Sequence, residues 1–215
     1  MSIISSSYDP AVLSQACTLG TSTLFEASGV STSAVDSNIR TVWAGASVAG
    51  PAYPLECSPG DNLAIHIAME KVPRASILVI STQGFVAGYW GEVLTVAAEA
   101  AGVVGLVIDG GVRDIAAITK RRFPVFTRGI SMRGTIKASA PSVGQAISFA
   151  GTPVETGDLV VADDDGVLVI PAAKVEYTLA QGQIRSDKEA KMMEALAQGK
   201  STLELMGLTR WRQGG

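Results

Sequence analysis

The apolar positions of this 215-residue chain fall into short dense runs separated by helical stretches. Ile77–Ile80 and Val103–Ile108 are almost wholly apolar, the pattern of strands buried on both faces. Between them Glu92–Ala101 is alanine-rich and reads as a helix. Arg113–Thr119 predicts a short helix and Pro124–Thr127 a further strand. This alternation predicts a parallel sheet with right-handed crossovers. Upstream, Asp9-Pro10 supplies an N-cap and a first-turn proline for a helix carrying Val12, Leu13, Ala16 and Cys17. A second short helix is predicted over Thr21–Ala27. Thr41–Gly45 and Ala46–Gly50 are strand-like, and Asp61 or Asn62 can cap a helix from Leu63. Downstream, Gly157–Ala162 and Gly166–Ile170 flank Asp163-Asp164-Asp165 and predict a hairpin with a solvated acidic turn. Ala172–Met206 reads as one long helix and a shorter one. Its stripe of Val175, Leu179, Ile184, Met192, Met193 and Leu196 suits packing on its own domain or on another subunit. The chain therefore divides into an α/β unit, residues 1–171, and a helical extension, residues 172–215.

At 47% hydrophobic and 17% charged residues, the chain can fill a sizeable core. Its net charge of −3 gives no basic field, which argues against nucleic acid as a partner. Lys120-Arg121-Arg122 is the one basic cluster and reads as a solvated loop. No apolar run approaches the ~20 residues that cross a bilayer, so no membrane partner is expected. Met1–Pro10 lacks both a basic start and an apolar run, so a cytoplasmic protein is expected. Cys17 and Cys57 then read as reduced structural thiols.

The chemistry concentrates in Gly105–Asp114. It reads as a buried strand, a tight turn at Gly110-Gly111, and the first helical turn carrying Arg113 and Asp114. Charges at the end of a core strand are costly unless a ligand or metal uses them, which suggests a small anionic substrate and a cation. A guanidinium can grip a carboxylate through two parallel hydrogen bonds. A local ion pair between Arg113 and Asp114 fits the spacing equally well. Gly91-Glu92-Val93-Leu94 opens the preceding helix, so the Val93 and Leu94 N–H groups are free for an oxyanion. Both helix starts lie beyond C-terminal strand ends, where open α/β sheets bind ligands. Glu92 is a candidate base or outer partner of a metal, although simple complementarity to the helix dipole would also account for it.

Other signals are excluded. The spacing of Gly84, Gly88 and Gly91 is not that of a dinucleotide site. Asp163–Gly166 lacks the alternating ligands of a calcium loop. His66, the single histidine, stands among Ala64, Ile65, Ile67 and Ala68 and reads as a buried structural residue. With the cysteines distant in sequence, a zinc site is not expected. No serine stands in a nucleophile elbow.

Taken in order, several segments resemble the RraA-like superfamily. They are Pro59–Asn62, Gly91–Leu94, Gly102–Asp114, Phe123–Phe126, Gly134–Lys137 and Gly157–Val167, with Thr23–Ala27 as a first-helix match. The resemblance covers roughly residues 12–210 and is nearest to the 4-hydroxy-4-methyl-2-oxoglutarate / 4-carboxy-4-hydroxy-2-oxoadipate aldolase branch. It implies a layered α/β/β/α sandwich assembled as homotrimers or homohexamers. It implies a class II aldolase, using Mg²⁺ or Mn²⁺, that splits a 4-hydroxy-2-oxo acid to pyruvate and an oxo acid. Oxaloacetate decarboxylation would accompany this, since both reactions pass through pyruvate enolate.

Carried over by motif, Arg113 would bind the pyruvyl oxygens, Asp114 the metal, and the Gly91–Leu94 turn the substrate carboxylate through the Val93 and Leu94 N–H groups. Glu92 stands where the branch often has Asp and would help hold a metal-bound water that takes the C4 hydroxyl proton. Glu189, or alternatively Glu194, would reach the site from a neighbouring subunit. Two other functions fit the superfamily: a non-catalytic regulator that binds ribonuclease E, and a related lyase acting on another oxo acid. The long C-terminal helix favours the enzyme.

Overall fold

The computed structural model describes residues 8–29 and 32–213. The reading of Met1–Pro10 as leaderless thus falls largely outside the described residues. Helix α1 (Pro10–Ser28) starts at Asp9, whose side chain accepts the Ala11 N–H at 2.8 Å. Then come β1 (Ser33–Ala34), β2 (Arg40–Thr41), β3 (Val48–Glu56), α2 (Leu63–Met69), β4 (Ile77–Ser81), β5 (Gly88–Trp90) and α3 (Glu92–Ala101). The second half holds β6 (Gly105–Val112), α4 (Ile115–Arg121), β7 (Val125–Ile130), β8 (Ser142–Val143), β9 (Ile147–Phe149), β10 (Thr152–Val154), β11 (Leu159–Asp163) and β12 (Gly166–Ile170). Two helices, α5 (Val175–Ala197) and α6 (Thr202–Leu205), close the order.

The long strand β3 joins two sheet layers. Its first half, Val48–Pro51, pairs antiparallel with β11, and its second half, Ala52–Glu56, pairs parallel with β4. One layer runs β1-β12-β11-β3, and the other runs β3-β4-β6-β7-β2 with β4, β6 and β7 parallel. Side-chain alternation places three cores between four layers. Ile77, Val79, Val107, Phe126, Val160, Ala162, Val167 and Val169 meet between the sheets. Leu78, Ile80, Leu106 and Ile108 turn outward to Ala64, Ile65, Leu94, Ala98 and Ile118 of α2, α3 and α4. Leu159, Val161, Leu168 and Ile170 turn the other way, to Ala16, Leu19, Leu24, Val175 and Leu179 of α1 and α5. The central strands are mostly apolar because both faces are covered. This is the expected α/β/β/α sandwich.

Several local expectations are corrected. The strand-like run 41–50 splits: β2 ends at Thr41 and β3 begins at Val48. The two predicted N-terminal helices form one kinked α1 with Gly20 at φ 76° and ψ 163°. Asp163 caps the second half, accepting the Thr21 N–H at 2.8 Å and the Thr21 hydroxyl at 2.6 Å. The acidic turn is therefore not simply solvated. Asp164 accepts the Gly45 N–H at 2.9 Å, and Asp165 accepts the Ser22 hydroxyl at 2.9 Å. The basic cluster is not a free loop either: Arg121 pairs with Glu92 and Glu99 at 3.2 and 3.1 Å, and Arg122 lies 4.7 Å from the Trp43 ring centre.

Candidate active site

The largest correction concerns Gly110-Gly111, predicted as a turn. Both glycines lie inside β6, which continues to Val112. A Cβ on Gly110 would stand 2.8 Å from Thr82 Oγ1, and one on Gly111 would stand 2.6 Å from the Ala87 carbonyl. The pair therefore serves close approach by the loop after β4. Buried Asp109 fastens that loop, accepting the Thr82 hydroxyl at 2.9 Å and the Gly84 N–H at 3.3 Å. Because β6 is longer than predicted, Arg113 and Asp114 precede α4 rather than occupying its first turn.

Arg113 and Asp114 do not form an ion pair with each other. Asp114 adopts a left-handed backbone (φ 60°, ψ 37°), which aspartate tolerates better than most residues. Its Oδ2 accepts the Glu92 N–H at 3.0 Å, tying the start of α4 to the start of α3. Gly91 makes this approach possible, since a Cβ there would collide with the Asp114 carboxylate. The Arg113 backbone N–H bonds the Trp90 carbonyl at 2.9 Å, while its guanidinium has no carboxylate partner among the described residues. Trp90 is fully buried, stacked on Phe123 and hydrogen-bonded from Nε1 to Thr95 Oγ1 at 2.8 Å. It gives the site a rigid back wall.

These residues line a pocket of about 380 Å³ with Asn62, His66, Gly88, Tyr89, Val93, Leu94, Gly134, Thr135 and Lys137. The first α3 amide bonded within that turn is Thr95 N–H, to Gly91 O at 3.0 Å. The Val93 and Leu94 N–H groups are the orphan donors of a helix start, at the pocket wall. Arg113, Asp114, Gly91, Val93 and Leu94 thus come together. Glu92 and Glu189 do not join them. The Glu92 carboxylate is held by Arg121, and Glu189 pairs with Arg185 at 2.8 Å. Arg185 also pairs with Glu26, joining α5 to α1.

Where a family model for RraA-like proteins, described as Aldolase/RraA, is compared with the chain, it matches residues 13–169. The chain belongs to the RraA-like family. A protein of Halalkalibacterium halodurans, provisionally named 4-hydroxy-4-methyl-2-oxoglutarate aldolase, is 35% identical over 146 residues, 67% of this chain and 70% of that protein. A crystal structure of an uncharacterized protein from Pseudomonas syringae pv. tomato superposes with a TM-score of 0.83 at 28% identity, covering 94% of this chain and 95% of that one. Streptomyces coelicolor RraAS2, described as an unusual member of the RNase ES inhibitor RraA protein family, shares the fold with a TM-score of 0.74 at 22% identity, over 89% of this chain and 98% of its own.

Within this RraA-like pocket, sequence reasoning missed Asn62, His66 and Lys137. His66 is not simply a core residue: its ring lines the pocket, and its Nε2 is buried without a partner. Burial, and then the Lys137 charge, push its pKa down from the ordinary histidine value, which favours the neutral imidazole. Of the apolar neighbours that suggested a structural role, Ala64, Ile65 and Ala68 form the buried side of the seven-residue helix α2. The Asn62/His66 spacing of i and i+4 was the one available signal. No described helix is long and apolar enough to cross a membrane.

Proposed function

We propose that this pocket is the active site of a divalent-metal-dependent lyase. It cleaves a 4-hydroxy-2-oxo acid, such as 4-hydroxy-4-methyl-2-oxoglutarate, to pyruvate and a second oxo acid, and it decarboxylates oxaloacetate as a side activity. The observation that carries this reading is the unpaired Arg113 guanidinium beside Asp114, facing a helix start with free N–H groups. The relative named as an aldolase supports the same chemistry.

The residues fit a single cation. Among the described residues no cluster of three or more His, Cys, Asp or Glu forms a metal cage. Mg²⁺ and Mn²⁺ accept few protein ligands, and Mg²⁺ retains several waters. Asp114 uses Oδ2 for the Glu92 N–H, while Oδ1 has no hydrogen-bond partner among the described residues and remains for the ion. When bound, the cation would act as a Lewis acid for charge developing on the C2 oxygen.

The chain's own groups do the positioning. The Val93 and Leu94 N–H groups grip the C1 carboxylate, and Arg113 donates to the C2 oxygen. Cleavage removes the C4 hydroxyl proton, breaks the C3–C4 bond and leaves the electron pair in pyruvate enolate, which is then protonated at C3. Glu92 can assist the first proton transfer only after leaving Arg121. Glu189 completes the site from the neighbouring subunit of a homotrimer or homohexamer, an assembly that sedimentation velocity would reveal as a multiple of three chains.

The test is pyruvate release from 4-hydroxy-4-methyl-2-oxoglutarate, followed with lactate dehydrogenase. Activity is expected with Mg²⁺ or Mn²⁺ and should be lost in EDTA and in Asp114→Ala. Undiminished cleavage in EDTA would refute the metal role.

A further inference from the structure

The apolar core between the two sheets gives way to polar residues on four neighbouring strands. Ala52, Ile77, Val79, Val107 and Phe126 belong to that core. Two or four positions further along β3, β4, β6 and β7, side-chain alternation puts Glu56, Ser81, Asp109 and Arg128 on the same face. Glu56 and Ser81 are register partners. All four line a cavity of about 340 Å³. It lies on the face of the sheet turned away from α2 and α3, and is therefore separate from the lyase pocket. Polar side chains in place of core residues are costly unless something uses them. The volume suits a small molecule, and strand ends of α/β sheets are where ligands bind.

Two tight turns contribute the rest of the lining. Gln83 and Gly84 have φ of 57° and 74°, and the Phe85 N–H closes their turn on Thr82 O at 3.1 Å. Ala150 and Gly151, with φ of 47° and 85°, join β9 to β10. Turns with two left-handed central residues favour Asn or Gly at the first of them. Gln83 and Ala150 stand there instead, and strain of this kind gathers at ligand clamps.

The charges show what would fit. Asp109 is already used, accepting the Thr82 hydroxyl at 2.9 Å and the Gly84 N–H at 3.3 Å. Arg128 donates from Nε to Asp109 O at 3.1 Å and from Nη2 to Asp36 at 2.9 Å, which leaves Nη1 without a partner among the described residues. Glu56 is half-buried and makes no ion pair with any described residue. The strands of Glu56 and Arg128 are three inter-strand spacings apart, roughly 14 Å at the backbone. One free carboxylate and one free guanidinium edge thus share a cavity without meeting. A guanidinium beside a single free carboxylate disfavours a bare metal cation, whereas a molecule carrying both charges satisfies the two groups at once. We propose that this cavity is a second binding site, for a small polar α-amino acid held as its zwitterion. Glu56 takes the ammonium group and Arg128 Nη1 the carboxylate, while Gln83 and Ser148 meet a short polar side chain. The site does not depend on the lyase reading.

L-Serine and two truncated relatives separate the charges. Ethanolamine lacks the carboxylate, and 3-hydroxypropionate lacks the ammonium group. In EDTA, where no cation can bridge a ligand to Asp114, ligand-observed NMR titration should give saturable binding of L-serine. Each relative should bind about 10- to 100-fold more weakly, the range for a hydrogen bond to a charged group. Glu56→Gln should weaken L-serine by a similar factor and leave 3-hydroxypropionate unchanged, whereas a merely structural Glu56 would weaken both. Ser148→Gln, at an exposed position of β9, should narrow the cavity and remove binding of all three with an unchanged urea midpoint. No saturable binding of L-serine, equal affinity for the three molecules, or serine binding that survives Glu56→Gln or Ser148→Gln would overturn the site.

Discussion

Gly111 shows how a single atom can govern this site. Its missing Cβ leaves room for the Ala87 carbonyl, and Val86 Cγ1 would stand 3.0 Å away from that Cβ. The nearest of these atoms is backbone, which cannot give way as the end of a flexible side chain would. Gly111→Ala should therefore destabilise the fold by about 1–3 kcal/mol, as overpacked interiors do. Urea titration checks this, and a midpoint equal to that of the unmodified protein would contradict it. The residues proposed to hold the pyruvyl group were legible in the sequence, because Arg113-Asp114 and Gly91–Leu94 sit beside readable element boundaries. Asn62, His66 and Lys137 were not assembled there. Their meeting depends on the Asp61 and Ile136 hydrogen bonds, which join segments more than 70 residues apart.

At the scale of elements, helix α3 is observed over the range its alanine-rich pattern predicts, with Gly102 as a left-handed C-cap. Strand β6 was read too short because glycines ordinarily mark turns. Only the tertiary approach of the Thr82–Gly88 loop shows why they lie within a strand. The Asp163 cap was hidden for a similar reason: its partner Thr21 lies 142 positions away.

The segment carrying Lys137 depends on another distant carboxylate, Asp61. Hydrogen bonding first from Leu63 N–H, and then from the Ala138 and Ser139 amides, holds the Asp61 pKa below 3.8. A depressed carboxylate pKa stabilises the folded state fully above the unfolded value near 3.9. That stabilisation fades as pH falls through the folded value. The stability difference between the unmodified protein and Asp61→Asn should therefore be largest near neutrality and shrink below about pH 4. A difference that stays constant from pH 7 to pH 3 would show that Asp61 does not act as a charge.

At the scale of the whole molecule, the four layers follow from central strands that carry apolar side chains on both faces. Both faces of each central strand are covered, by the facing sheet on one side and by helices on the other. The sequence patterning and the family resemblance therefore carried the architecture, whereas the small strands β8, β9 and β10 were not predicted. With two or three residues each, they are too short to show a period. The sandwich brings the ends of β5 and β6 and the start of α3 to one pocket, and the central claim is that this pocket generates pyruvate enolate. Exchange of the pyruvate C3 protons in D₂O, followed by NMR, reads that step without any need to know the natural substrate. With Mg²⁺ or Mn²⁺ the unmodified protein should exchange them, and Arg113→Ala should slow the exchange about 100- to 1000-fold. Absence of metal-dependent exchange, or full exchange in Arg113→Ala, would contradict the account.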